Sequence, residues 1–138
     1  VTKGIPWPLG AFHNQRSFCS IDNISYVIES LIQKDIDSGI YQVADDKPLS
    51  TNELIELIAE SLGQKASVWN INKTFIKSLA KLGNILHLPF NTERLQKLTE
   101  SYVVSNEKLK KALGIKHMPI SAKDGMLKTL KSFREKTK

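Results

Sequence analysis

The sequence has 138 residues, 41% of them hydrophobic and 25% charged, which fits one globular domain and excludes a disordered or fibrous protein. Its single cysteine, Cys19, excludes an intrachain disulfide and a metal site built on thiolates. No apolar run approaches the roughly 18 residues that a membrane-spanning helix needs, and no signal-peptide pattern opens the chain. We therefore expect a cytoplasmic protein with no membrane partner.

The first half of the chain predicts strands that alternate with helices. Residues 16–23, "RSFCSIDN", alternate polar and apolar side chains as a strand does, and a helical spacing of apolar residues begins at Ile24. "IYQVAD", residues 40–45, is a second strand candidate. The helix after it starts with a capping box, in which Ser50 precedes Glu53 by three residues, and it ends at a glycine.

The second half predicts one more strand, "ASVWNI" at residues 66–71, and then mostly helices. The helical patterns fall at 72–88, 92–98, 105–114 and 121–136. A brief extended piece, "SYVV", occupies residues 101–104. Strand–helix–strand–helix order with short loops favours parallel crossovers. We therefore predict an α/β fold, with a small, mostly parallel sheet and several helices.

The net charge of +6 is unevenly distributed along the chain. Residues 1–64 hold 4 basic and 9 acidic side chains, whereas residues 65–138 hold 16 and 5. A basic half is typical of nucleic-acid binding, so a basic module that binds nucleic acid or an acidic partner is one hypothesis. The lysines, however, are scattered along helical patterns and are not interleaved with aromatic residues. This spacing favours a solvated face, and we predict no nucleic-acid partner.

Catalytic and cofactor motifs are missing from the sequence. The seven glycines are too far apart to form the turn that brings backbone N–H groups to a pyrophosphate, and there is no P-loop. No tyrosine is followed by a lysine four residues later, and the three histidines lack metal-ligand spacing. Asp45 and Asp46 are interpreted as part of a turn rather than as an acid–base pair. We therefore predict no catalytic, metal-binding or cofactor-binding residue in this chain.

Two arginines remain as candidates for binding a ligand. Arg16 opens the strand predicted at residues 16–23, and Arg94 lies at the start of the short helix predicted at 92–98. A guanidinium is always charged and offers a planar fork of donors that matches phosphate oxygens. At the start of a strand, Arg16 would lie on the rim of the sheet with a rigid element behind it. The alternative for Arg16 is a surface ion pair with a nearby aspartate.

"RSFCSIDN" resembles the "R-D-F-x-x-V-D-D" stretch of the extended short-chain dehydrogenase/reductases, which are NAD(P)-dependent nucleotide-sugar epimerases, dehydratases and reductases. Four other segments resemble that family in the same order: "GIPWPLG", "GIYQVADDKPLSTNELIELIAESLGQK", "RLQKLTESYVVSNEKLKKALGI" and "PISAKDGMLKTL". The third of these is similar to UDP-hexose and UDP-hexosamine epimerase-like members. The resemblance implies that residues 1–138 are one C-terminal lobe, which binds the nucleotide sugar. The N-terminal Rossmann half, which carries NAD and the catalytic Tyr-Lys pair, would lie outside this sequence.

The resemblance also implies roles for individual residues. Arg16 matches an arginine that contacts the diphosphate or nucleoside, and Arg94 matches one that clamps the phosphates. Trp7 and Leu9 fall on the segment that borders the uracil. Tyr102 lies near a position of the substrate pocket.

The implied activity is that of a UDP-hexose or UDP-N-acetylhexosamine 4-epimerase in polysaccharide precursor synthesis, which oxidises the sugar transiently at C4. A reductase or dehydratase of the same family remains open, as does a scaffold with only a protein contact. Ser17, Asn23 and Ser105 stand where the family commonly has aspartate, which implies a shifted substrate preference. Alone, the piece would bind a UDP-sugar without NAD and without turnover. The apolar face that packs on the Rossmann half would be exposed and would favour self-association.

Overall fold

The computed structural model describes residues 6–136 and, of their side chains, those of residues 6–133. This part of the chain contains six α-helices: α1 (Ile21–Gln33), α2 (Thr51–Ser61), α3 (Lys73–Ile85), α4 (Thr92–Thr99), α5 (Glu107–Leu113) and α6 (Ala122–Lys136). It divides into two compact units. The first unit comprises residues 6–15 and Ser50–Ser101, and the second comprises Arg16–Leu49 and residues 102–136.

The prediction of an α/β fold with a mostly parallel sheet is wrong, because the described residues form helices and no sheet. Their β pairing consists of four isolated bridges: Trp7–Val68, Leu9–Asn70, Arg16–Leu49 and Arg16–Tyr102. Residues 40–45 form no strand, and residues 66–71 contribute only two bridge positions. Alternating apolar residues favour extended backbone, but a sheet also needs partner segments that stay in register over several residues. Here the segments meet only at isolated positions, and no continuous ladder forms among the described residues.

The helices follow the predicted local signals closely. The capping box of α2 is confirmed, since Ser50 Oγ accepts from the N–H of Glu53 at 3.1 Å and the Glu53 carboxylate accepts from the N–H of Ser50 at 2.7 Å. Gly114 ends α5 in the left-handed region, at φ 70°. The N-cap of α5 is Asn106, which lies inside the helical pattern predicted at 105–114. Its side-chain amide donates to the Ala44 carbonyl at 2.8 Å instead of capping the helix.

The core of the first unit lies between α3, α4 and the N-terminal segment. It contains four buried side chains, with four partly buried aromatic and aliphatic ones around them: Leu9, Ile76, Ala80 and Leu95, with Trp7, Phe12, Ile71 and Phe90. Gly83 of α3 lies so close to the segment after the helix that a Cβ at this position would overlap the Phe90 carbonyl oxygen. Glycine at this position therefore permits the close approach of backbone to helix.

The core of the second unit is formed by α1, α5 and the segment after α5. Its buried side chains are Val27, Leu109, Leu113 and Met118. The apolar stripe predicted to bury α1 does so only in part, since Ile28 and Ile32 are 54% and 80% exposed while Asn23 and Ser30 are buried. Two polar side chains thus share the inward face of α1 with Val27. In residues 6–136, no helix is both long and apolar enough to cross a bilayer.

Candidate functional site

Arg16 is held by backbone hydrogen bonds on two sides within the second unit. Its N–H donates to the Leu49 carbonyl at 2.9 Å, and the N–H of Leu49 donates back to the Arg16 carbonyl at 2.9 Å. On the other side, the N–H of Ser17 donates to the Tyr102 carbonyl at 2.8 Å. Because both neighbouring segments bond to the chain at this point, the position of Arg16 is fixed although no sheet surrounds it.

The structure brings Arg16 and Tyr102 together, two of the residues predicted to contact a substrate. The guanidinium carbon of Arg16 lies 5.8 Å from the centroid of the Tyr102 ring, which is within cation–π range. Tyr102 is 56% exposed, whereas Arg16 is partly buried. The pair therefore presents a fixed cation beside an accessible aromatic ring. Such a pair suits a phosphate that is joined to a sugar or a planar base.

Trp7 and Leu9 lie in the first unit, on a segment hydrogen-bonded to residues 67–69. The N–H of Trp7 donates to the Ser67 carbonyl at 2.7 Å, and the N–H of Trp69 donates to the Trp7 carbonyl at 2.8 Å. The side chain of Leu9 is 3% exposed and belongs to the core of the unit, and Trp7 packs against the same core. Leu9 therefore acts in the hydrophobic core, and the residue as a whole offers a ligand almost no accessible surface.

Arg94 also lies in the first unit, in the first turn of α4, and its side chain is exposed. Its N–H donates to the Asn91 side-chain oxygen at 2.9 Å, so the cap of α4 fixes the backbone at this residue. The other side of α4 carries Leu95, which enters the core. The five predicted binding residues are thus divided between the units, with Trp7, Leu9 and Arg94 in the first.

Asp45 and Asp46 lie in the predicted turn, and each carboxylate joins distant parts of the second unit. Asp45 accepts from the N–H of Ser20 at 3.0 Å and from the Asn23 amide at 2.6 Å. Asp46 accepts from the N–H of Met118 at 2.9 Å and from Asn106 and Lys110, each at 3.1 Å.

These bonds also set the protonation of Asp46. Burial raises the pKa of Asp46, but the hydrogen bonds from Met118, Asn106 and Lys110 outweigh it and hold the pKa of this carboxyl below its usual value. In the same cluster, hydrogen bonds to Glu107 and then to Asp46 raise the pKa of Lys110. With its oxygens occupied and its charged form favoured, Asp46 is suited to a structural role rather than to proton transfer.

Three buried asparagines have structural roles that the sequence did not predict. Asn14 is buried in the first unit, where its amide donates to Thr51 Oγ1 at 2.8 Å. Asn23 and Asn106 are buried in the second unit. Their partners are far away along the chain, so no local sequence signal could have identified them.

Several basic residues of the second unit are already engaged by the protein. Lys108 donates to the Ile40 carbonyl at 2.9 Å and lies over the ring of Tyr41 at 4.8 Å. Lys110 pairs with Asp46, and Lys128 pairs with Asp22 at 2.5 Å. These contacts reduce the free positive charge that a nucleic-acid surface would need.

Among the described residues, no group of three or more His, Cys, Asp and Glu side chains could hold a metal ion.

Comparison with known proteins does not assign the chain to a family. No protein-family model matches the sequence, and no curated protein and no solved structure is significantly similar to it.

Proposed function

We propose that this chain binds the diphosphate of a nucleotide sugar through Arg16, as the substrate-binding part of an NAD-dependent epimerase that acts on UDP-hexose or UDP-N-acetylhexosamine. The observation that carries the proposal is the pair of Arg16 and Tyr102, in which an arginine whose backbone is held by hydrogen bonds places its guanidinium beside an exposed ring. The resemblance to extended short-chain dehydrogenase/reductases supplies the substrate class and a place in cytoplasmic polysaccharide precursor synthesis.

Arg16 is well suited to this role on physical grounds. Its backbone is held on both sides, so little conformational freedom is left to lose when a ligand binds. A guanidinium can donate two parallel hydrogen bonds to a diphosphate, and charge-assisted bonds of this kind are about twice as strong as neutral ones. The ring of Tyr102 offers a surface for a sugar or a base, and its hydroxyl can donate or accept a hydrogen bond.

NAD belongs to the proposed whole enzyme, and the described residues do not fit it. Each of the six described glycines, Gly10, Gly39, Gly63, Gly83, Gly114 and Gly125, lies in a separate segment. Within residues 6–136, no glycine-rich turn at a helix N-terminus is therefore formed to receive a pyrophosphate. We propose no chemical step for these residues, and we expect the chain alone to have no turnover. Stoichiometric binding of NAD to this chain would contradict that expectation.

Exposed apolar side chains support a further part of the proposal, a covering partner. On α3 and its C-cap they form a stripe of Phe75, Leu79, Leu82 and Leu86, which are 61%, 45%, 48% and 57% exposed. We propose that the remaining half of the enzyme or a second copy of this chain covers such faces. A sedimentation coefficient that stays that of a monomer as the protein concentration rises would count against the second copy.

The proposal is tested by calorimetric titration with UDP and then with UDP-N-acetylglucosamine. We expect Arg16→Ala to weaken UDP binding by about tenfold or more, as loss of a charge-assisted bond does, and Arg16→Lys to restore part of the loss. Lys131→Ala, which removes an exposed charge from α6 in the same unit, is the matched control and should bind as the wild type does. Arg94→Ala tests the second arginine separately.

Either of two outcomes would contradict the proposal. One is equal binding of UDP by the wild type and Arg16→Ala. The other is binding of UDP no tighter than that of inorganic phosphate. A steep fall in affinity for single-stranded nucleic acid with rising salt, together with no preference for UDP, would instead favour the basic binding module.

A further inference from the structure

A groove in the first unit lies between α3 and α4, and it is separate from the residues proposed to bind UDP. Its volume is about 290 Å³. The floor is apolar and is formed by Phe12 and Leu95. Lys77 and Lys81 of α3 form one wall, and Gln96 lies on the α4 wall. Small-molecule pockets begin at about 300 Å³, so the volume suits a ligand built on a single ring.

The lysine wall of this groove is positively charged, and no carboxylate among the described side chains forms an ion pair with it. Lys73, Lys77 and Lys81 follow one another at intervals of four residues, which places them on one side of α3. Lys73 Nζ lies 5.8 Å from the centroid of the Phe12 ring. Helix α3 contains no acidic residue, and within residues 6–133 no ion pair joins these three lysines to a carboxylate.

The α4 wall adds polar groups without adding free negative charge. The hydroxyl of Thr92 is bonded to the Asn84 side chain at 2.8 Å. Gln96 contributes an amide, which can both donate and accept a hydrogen bond. The carboxylate of Glu93 on α4 pairs with Lys97 at 2.6 Å and does not line the groove. The groove therefore combines an aromatic floor, a cationic wall and a polar wall.

We propose that this groove binds a small organic anion consisting of one aromatic ring with a phosphate or carboxylate group. The ring packs on Phe12 and Leu95, and the anionic group lies between Lys77 and Lys81. The apolar floor explains why a ring is needed, and the lysine wall explains why the ligand is an anion. An uncharged ring would contact only the apolar floor, and a free phosphate would contact only the lysine wall.

This groove is distinct from the binding role proposed for Arg94. Thr92 and Gln96 each lie two residues from Arg94 on α4, and residues two apart do not share a face of a helix. Arg94 is exposed and does not line the groove. Binding in the groove can therefore be measured independently of UDP binding.

The test is a titration monitored by ¹⁵N-edited NMR, with phenyl phosphate as the probe. Phenol and inorganic phosphate, which represent its ring and its anionic group, are titrated for comparison. We expect phenyl phosphate to bind with a Kd of about 1 mM or tighter and each half to bind about tenfold more weakly. The shifted amides should fall in α3, in α4 and around Phe12. The double variant Lys77→Gln/Lys81→Gln should bind the probe about tenfold more weakly. Phe12→Leu should lower the affinity for phenyl phosphate and leave the affinity for inorganic phosphate unchanged.

The matched control is Lys123→Gln/Lys131→Gln, which removes two exposed charges from α6 and should bind the probe as the wild type does. Equal weakening by both double variants would mean that only net charge matters, and this would overturn the proposal. Absence of phenyl phosphate binding, or shifts confined to the second unit, would also overturn it. The position of the shifted amides separates the two proposals, because a ligand in the groove shifts amides of α3, α4 and the segment around Phe12, whereas UDP at Arg16 shifts amides of the second unit.

Discussion

Asn23 and Asp45 form a buried amide–carboxylate pair in the second unit, with Asn23 Nδ2 2.6 Å from Asp45 Oδ1. The two residues are 0% and 3% exposed. The Asn23 amide also donates to the Ile120 carbonyl at 2.9 Å, and its oxygen accepts from the N–H of Ile120 at 3.1 Å. Asp45 in turn accepts from the hydroxyl of Ser20 at 3.1 Å. One asparagine therefore ties the start of α1 to two distant segments.

Replacing Asn23 with aspartate should destabilise the second unit strongly. The variant Asn23→Asp would bury two carboxylates in contact, and such an uncompensated buried charge costs about 3–5 kcal/mol. Burial and the neighbouring charge raise the pKa of the new carboxyl above its unfolded value of about 3.9. The destabilisation is therefore complete at pH 7, and it is lost as the pH falls through the raised folded value.

Urea unfolding of the wild type, Asn23→Asp and Asn23→Ala at pH 7 and pH 4 checks this prediction. The alanine variant loses the same hydrogen bonds without adding a charge, so it should be the more stable of the two variants at pH 7. The two should become similar at the lower pH. Wild-type stability of Asn23→Asp at pH 7 would show that residues 23 and 45 are not buried together.

Asp46 should stabilise the folded protein at neutral pH and lose this effect in acid. Its folded pKa is held below the unfolded value by Met118, Asn106 and Lys110 against the opposing effect of burial. The sign follows, because a group with a lowered folded pKa stabilises the protein above its unfolded pKa of about 3.9 and loses this effect as the pH falls through the folded value. We expect Asp46→Asn to lose about 2 kcal/mol at pH 7, the scale of a hydrogen bond to a charged group.

The measurement is the free energy of unfolding of Asp46→Asn from pH 7 to pH 3. Below about pH 4 its difference from the wild type should shrink, because Asp46 of the unfolded wild type then binds a proton and the folded carboxyl follows only as the pH falls through its lower pKa. Asp35→Asn changes an exposed aspartate of the same unit and should leave both the stability and its pH dependence nearly unchanged. A constant difference at every pH would mean that the charge of Asp46 is not what stabilises the unit.

Gly83 should not tolerate a larger side chain, although it lies within a helix. Alanine normally stabilises a helix interior by about 1 kcal/mol relative to glycine. At this position the new methyl group would overlap the Phe90 carbonyl oxygen, and overpacking of this kind typically costs about 1–3 kcal/mol. We expect Gly83→Ala to lower the thermal midpoint. Gly39→Ala, whose Cβ would be 3.6 Å from its nearest atom, should have little effect.

The helices could be predicted because their signals are local. A capping box spans four residues, and the glycine that ends α5 needs only its own backbone angle. The strand predicted at residues 40–45 does not form, because a strand depends on a distant partner segment. Its alternation of apolar residues is also local, but a strand exists only through a partner segment, and here the N–H of Asp45 bonds to the Phe18 carbonyl without a ladder forming.

The candidate site likewise has a part that the sequence predicts and a part that depends on distant segments. A guanidinium at position 16 was enough to suggest an anion site, because the chemistry of arginine does not depend on its surroundings. Which side chain would lie beside it could not be deduced, because Tyr102 reaches Arg16 from a distant part of the chain. The groove between α3 and α4 was missed since its floor and its two walls come from three separate segments.

The sequence by itself determined the capping box that starts α2 and the glycine that ends α5, but it placed a strand at residues 16–23, where α1 already begins at Ile21. Only the tertiary structure decided which faces are buried. In α1 the polar Asn23 lies inside while Ile32 lies outside, because the amide finds a carboxylate and a backbone partner there. A buried polar group is stable when such partners are supplied, and only the folded chain supplies them.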